Sequence, residues 1–402
     1  MKKVLAMVLA AVMMLACCAA FAENAEKVEG AFNVGVYMWM SGGAATVGEE
    51  MKEAFAIAVE DMGGKVNGED VNFLYYDTQN NPEIAVTAAQ YLIGQNVDAV
   101  IGSFQSGDVV AAYPFLERAG LVNVFMGTSG SIVTPDQKYS FRGSFNADYT
   151  AKSFVDMFVN DLGYQNIAIF YGQDEASVAN KNVIEPAMKE AGLNVVAVET
   201  GTSEDTDYSA QCLRIVSSNP DAVYVVCSGA GVNFVKQLRE YGYNGMIMNK
   251  DEWMTSHVDQ IGEKNSNYVA GCVAYTTYKS IDAAKEAGAR PEVIEFLQKY
   301  EAKYGRLPTL GITYRCYDSA MILFTAAKNA GTNHDSEKIV EEIGKLKGFN
   351  LCMGPVDFTQ GDREPSHEFM KVIYDNGGSR NFLDWLGNGG YDAFKQATGR
   401  AK

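Results

Sequence analysis

The sequence predicts an α/β chain of two doubly wound parallel-sheet lobes joined by a three-stranded hinge. Three observations lead there. From Phe32 onward, short apolar runs rich in β-branched residues alternate with longer stretches of helical period, the pattern of buried parallel strands and the helices that cover them. The alternation comes in two series, one ending near Arg142 and one starting after Ala147. No Pro/Ser-rich or low-complexity linker separates them, so the lobes should be tightly joined, crossed more than once by the chain, and able to hinge around a ligand.

The elements follow in order. Lys2 and Lys3 precede an apolar run at 4–16, and Ala20-Phe21-Ala22 supplies small residues around a cleavable bond, so residues 1–22 read as a secretory signal peptide. Cys17 carries the competing reading of a lipid-anchored form. No later segment reaches the run of about 18 to 20 apolar residues that a membrane span needs, and the product is expected to be periplasmic or extracellular. Buried strands are expected at 71–76, 99–101, 121–126, 167–171, 195–198 and 222–226. Helices are expected at 46–62, 82–95, 106–119, 149–162, 176–191, 208–217 and 231–241. Thr46 with Glu49 reads as a capping box and Pro82 as a first-turn residue. Gly63-Gly64 and Asn67-Gly68 read as positive-φ turn positions. A return to long helices at 291–346 takes the chain back to the first lobe. The expected division is 30–147 plus 276–353 for one lobe and 148–275 plus 354–402 for the other, with crossings near 144–148, 276–279 and 353–356.

Composition narrows the function classes. The chain has 33 basic and 50 acidic residues, a net charge of −17, and loss of Lys2 and Lys3 with the leader makes it more negative still. Nucleic acid and anionic lipid are poor partners for such a surface. Five cysteines remain after the leader, Cys212, Cys227, Cys272, Cys316 and Cys352. An odd number without CxxC spacing argues against a zinc cluster or a disulfide-built scaffold, and leaves one structural pair open. The three histidines, His257, His334 and His367, are scattered and read as surface or loop residues. There is no nucleophile elbow, P-loop or dinucleotide fingerprint, and Ser41-Gly42-Gly43 lacks the Lys-Ser/Thr of a phosphate cradle. No catalytic residue, metal or cofactor is expected.

In doubly wound sheets a ligand lies beyond the carboxyl ends of the strands, where helix N-termini present free N–H groups. Ser106, opening a helix after an apolar strand, reads either as a plain cap or as a hydroxyl for a ligand carboxylate. Gly127-Thr128-Ser129-Gly130 reads either as a tight polar turn or as a place where backbone approaches ligand closely. The loop Asn249-Lys250-Asp251-Glu252-Trp253 supplies two acids, either solvated or paired with a ligand ammonium. Trp39, Phe104, Tyr149 and Trp253 put aromatics on loops that should line the cleft, with Tyr314 as a further candidate, and interlobe packing is the other reading for all five.

Several motifs, in order along nearly the whole chain, resemble periplasmic binding proteins for branched-chain amino acids, which have the type I periplasmic binding fold. They include Gly63-Gly64-Lys65-Val66-Asn67-Gly68, Tyr76-Asp77-Thr78-Gln79, Asn81-Pro82-Glu83, Val100-Ile101-Gly102-Ser103, Phe141-Arg142, Asp205-Thr206-Asp207-Tyr208-Ser209, Pro220-Asp221-Ala222, Tyr317-Asp318 and Gly354-Pro355-Val356-Asp357-Phe358. The resemblance implies an extracytoplasmic, monomeric solute-binding protein that closes on a small-molecule ligand, an amino acid or analogue, and delivers it to an ABC permease and ATPase complex. It implies that Ser106, Gly127 and Ser129 take the ligand carboxylate and Asp251 its amine. Two positions depart from the family pattern. Ala176 stands where relatives often have a tyrosine, and Ser228 where an aromatic is usual, so the side chain of the ligand stays open. A sensory component that presents its closed form to a membrane receptor is the alternative function, and an exported hydrolase is a weaker third.

Overall fold

The computed structural model describes residues 26–134, 136–146, 148–250, 253–274, 276–365 and 369–400. The leader with Cys17, the acids Asp251 and Glu252, and His367 lie outside the described residues, as does the side chain of Ser228.

The run after Ala31, apolar except for Asn33, becomes β1, Phe32–Met38, in which every residue is buried. Such a strand needs cover on both faces, and it has it. β1 lies between β2 (Val71–Asp77) and β3 (Ala99–Gly102), followed by β4 (Asn123–Phe125) and β5 (Ser140–Arg142), in the order β2-β1-β3-β4-β5. All four pairings are parallel. Val34, Val36 and Ile101 face α1 (Ala45–Asp61) through Met51, Ala54 and Phe55 in one core. On the opposite face Leu74 and Val100 meet α2 (Pro82–Gly94) and α3 (Ser106–Ala119) through Ala88, Leu92, Ala112 and Leu116.

The second sheet repeats the plan. Its parallel part runs β7-β6-β8-β9-β10, with β6 at Asn166–Gly172, β7 at Asn194–Gly201, β8 at Ala222–Val226, β9 at Met246–Asn249 and β10 at Val269–Val273. The helices α4 (Asp148–Asp156), α5 (Glu175–Glu190), α6 (Ser209–Ser217) and α7 (Val232–Glu240) alternate with these strands. In both sheets the first strand of the series sits between the second and third. The winding reverses there, and ligand crevices open at such switch points.

Two further strands of the second sheet depart from the parallel plan. After a hairpin of β11 (Lys347–Leu351) and β12 (Gly354–Asp357), β13 (Met370–Asp375) joins β10 antiparallel and β14 (Gly378–Asn381) closes the edge. The long helices Pro291–Tyr304 and Ile312–Ala330 return to the first core through Phe296, Leu297, Ile322 and Leu323. Val356 and Phe358 also join that core.

Local chemistry accounts for other differences from the sequence reading. Helix α1 begins at Ala45 after a 3-10 turn, its N-cap is Ala44, and no side chain caps it, so the Thr46–Glu49 capping box does not form. Asn81 caps α2 with its Oδ1, and Pro82 stands at the first position as expected. Gly63, Gly64, Asn67 and Gly68 all have positive φ. Strand β7 is an edge strand with Val198 41% exposed, because it pairs on one side only. Helix α4 ends in a π-turn, Met157–Asp161. His257 is buried rather than on the surface, its Nδ1 accepting the Met254 N–H at 3.3 Å. Cys212, Cys227, Cys272, Cys316 and Cys352 are all buried, and no disulfide joins them. Among the described residues no helix is long and apolar enough to cross a membrane.

Candidate functional site

The loops after β3 and β4 form one polar turn at the switch point of the first sheet. Ser103 Oγ accepts the Gln105 N–H at 3.0 Å and donates to Asp108 Oδ2 at 3.0 Å. Thr78 Oγ1 donates to the same oxygen at 2.6 Å. Burial raises the Asp108 carboxyl above its ordinary range against these hydrogen bonds. The N-cap of α3 is Gln105, so Ser106 is not the cap that the sequence suggested but the first helical residue. Its Oγ is buried and accepts the Ser129 N–H at 3.2 Å, leaving the Ser106 hydroxyl proton uncommitted among the described residues. Gly127 completes the contact. A Cβ there would lie 2.7 Å from Ile132 Cδ1 and 3.3 Å from Ser106 Cα, so only glycine lets the two loops meet.

An ion pair holds this turn from behind. Arg142, at the end of β5, is fully buried, and its Nε donates to Glu364 Oε2 at 2.6 Å. Its Nη1 donates to the Gly127 carbonyl and its Nη2 to the Ser129 carbonyl at 2.9 Å. Asn146 Nδ2 donates to the other Glu364 oxygen at 3.1 Å. The planar fork matches two backbone carbonyls spaced two residues apart. Both carbonyls are thereby held by the guanidinium.

The second lobe meets these hydroxyls with charge. Glu175 is the first residue of α5, whose cap is Asp174, with Oδ1 accepting the Ser177 N–H at 3.0 Å. Glu175 Oε1 accepts from Ser129 Oγ at 2.9 Å and from Ser131 Oγ at 2.6 Å. Glu175 Oε2 is buried and has no hydrogen-bond partner among the described residues. Lys250, buried at the end of β9, donates from Nζ to Thr128 Oγ1 at 3.3 Å.

Of the residues singled out in the sequence, Ser106, Gly127 and Ser129 come together. The aromatics take separate settings. Trp39 is half-buried and packs beside Gly43, whose Cβ would lie 3.5 Å from the indole. Phe104 is half-buried against the first core, and Tyr149 is 41% exposed. Trp253 is buried in the second lobe with its ring 5.1 Å from His257. Tyr314 is a core residue of the first lobe, 5.3 Å from Phe296, and not a cleft residue. Ser228 opens the 3-10 turn after β8. Asp251 lies outside the described residues, between the described Lys250 and Trp253. Sequence reasoning missed three groups. Glu175 stands next to Ala176, where an acid in the first turn of a helix reads as a match to the helix dipole. Phe141-Arg142 was visible only as a motif, and Glu364 lies 222 residues away in sequence.

A family model described as periplasmic binding protein matches residues 31–379. The Leu/Ile/Val-binding protein homolog 8 of Brucella abortus is 28% identical over 322 residues, 76% of this chain and 78% of that protein. A leucine-binding protein from Thermotoga maritima superposes with a TM-score of 0.75 at 26% identity, covering 88% of this chain and 99% of its own. An ABC transporter solute-binding protein from Rhodopseudomonas palustris, solved with benzoate, gives a TM-score of 0.75 at 20% identity over 88% of this chain and 96% of its own; at that identity the likeness is one of fold.

Proposed function

The chain belongs to the periplasmic binding protein family, and from that premise we propose that it is the extracytoplasmic solute-binding component of an ABC importer. Its ligand is an amino acid or a similar small carboxylate, taken between the two lobes. One observation carries this reading. The turn at 127–131, clamped by Arg142, already holds a carboxylate on two neutral hydroxyls, that of Glu175. Directional hydrogen bonds from hydroxyls suit a carboxylate, and leucine and benzoate, the ligands in the names of two similar proteins, share that group.

In this reading the first lobe, with Ser106 and Ser129, receives the carboxylate, and closure about the crossings brings Asp251 onto the amine. The closed outer faces are what a permease and its ATPase recognise. The protein acts as a monomer, without turnover. A desolvated ammonium without a carboxylate partner costs several kcal/mol, so Asp251→Asn is expected to weaken L-leucine by well over tenfold and to leave benzoate unchanged. Calorimetry on the purified chain with a panel of amino acids and small aromatic acids, and mass spectrometry of what co-purifies, test the reading. If no carboxylate binds and none co-purifies, the proposed ligand class is wrong.

A further inference from the structure

The positions of the hydroxyl protons limit what the turn can hold at one time. Each serine hydroxyl has one proton to donate. Ser129 Oγ lies 2.9 Å and Ser131 Oγ 2.6 Å from the same Glu175 oxygen, and the two hydroxyls lie 2.8 Å from each other, so both protons are committed among these three oxygens. Ser129 therefore cannot donate to a ligand carboxylate while Glu175 is seated. Two carboxylates sharing this site would also repel each other in a poorly solvated place.

We propose that Glu175 is a specificity-determining residue of the cleft, a built-in competitor that occupies the hydroxyl pair a ligand anion needs and must be displaced by it. The inference rests on the reading that the 127–131 turn receives the ligand carboxylate. Two features make displacement feasible. The second carboxylate oxygen of Glu175 is buried without a donor among the described residues, so the seated state leaves an acceptor desolvated and unsatisfied, which weakens its hold. The start of α5 does not depend on the Glu175 side chain, because Asp174 caps it through both the N–H and the hydroxyl of Ser177. Eviction then needs a rotation of one side chain rather than the loss of a helical turn. An uncharged ligand, or one presenting only an amine to this wall, has nothing with which to replace Glu175. While Glu175 is seated, the same contact ties α5 of the second lobe to the 127–131 turn of the first.

The test uses the mature chain with Glu175→Ala, Glu175→Gln and Ser131→Ala, probed with L-leucine, benzoate and L-leucinol, the last carrying the amine without the carboxylate. Solution scattering of the ligand-free protein should show Glu175→Ala more open than the parent. Calorimetry should show the carboxylate probes binding about tenfold or more tighter, since a charge-assisted contact no longer has to be broken, with no gain for L-leucinol. Ser131→Ala and Glu175→Gln should move in the same direction by less, and circular dichroism should show all three folded. Weaker binding of L-leucine to Glu175→Ala would overturn the proposal by making Glu175 the counterion of the ligand amine. If no probe binds either protein, the proposed ligand class fails on its own, and scattering decides the competitor separately: unchanged compactness overturns it.

Discussion

The two sides of the contact between the lobes are built on opposite plans. On the first-lobe side the groups facing inward are neutral, and their positions are fixed from behind by a buried ion pair and a glycine that admits no side chain. On the second-lobe side the groups reaching across are charged, Glu175 and Lys250, carried at the start of a helix and the end of a strand. A fixed neutral wall suits the part of a ligand that does not vary, because preorganised donors need no rearrangement when it arrives. A wall of long charged side chains can change what it accepts by rotation, or by substitution of one residue at a time.

If that contrast is right, damage to the fixed wall should cost stability and binding together. The largest effect is expected from Arg142→Met, which leaves Glu364 buried without its partner and should destabilise the protein by about 3 to 5 kcal/mol, read by urea unfolding. The double change Arg142→Met with Glu364→Leu should regain most of that stability and still fail to bind, because the carbonyls of Gly127 and Ser129 remain without the fork. Recovery of binding in the double variant would show that the pair is not what shapes the turn. A smaller loss, about 1 to 3 kcal/mol, is expected from Gly127→Ala, where the new methyl meets Ile132 and pushes the Ser106 loop away. Adding Ile132→Val removes the nearest atom and should restore part of it.

The smallest effect should come from a site that belongs to neither wall. His334 Nδ1 lies 2.8 Å from Asp98 and Nε2 3.0 Å from Glu69, and the hydrogen bond with Asp98, followed by that with Glu69, raises its pKa. A raised folded-state value means that its contribution is fully present below the unfolded value, about 6.5, and is lost as pH rises through the folded one. The side chain is 49% exposed, so the contribution is expected to stay under about 1 kcal/mol after solvent screening. Thermal unfolding of His334→Gln should lie below the parent at pH 6 and converge with it at higher pH, with ligand affinity unchanged throughout.

The fold was legible because parallel sheets leave a strong signal. The strand expected at 222–226 is β8 to the residue, and α3 spans 106–119 as read. Strand β7 was misjudged because Val195, Val196 and Val198 form an apolar run whether one face or two are covered, and edge position is a property of the sheet. The candidate site was legible where backbone chemistry is local, at Ser106, Gly127 and Ser129, which the fold brings together. It was opaque where partners come from distant parts of the chain, as with Arg142 and Glu364, or Ser131 and Glu175. For Trp253 and Tyr314 the packing reading holds: a loop at the mouth of a sheet also caps its core, and both are buried there.

The buried cysteines turn the molecule into its own gauge of local opening. Cys316 and Cys352 lie in the first-lobe core, Cys272 in one core of the second lobe, and Cys212 and Cys227 in the other. Burial pushes the thiols of Cys272, Cys316 and Cys352 up, and that of Cys212 to about 12, so thiolate is scarce while the cores are intact. A thiol reagent can then mark each cysteine only when its own core breathes. Peptide mapping of the marks would separate the opening free energies of three cores within one chain, in the presence and absence of ligand.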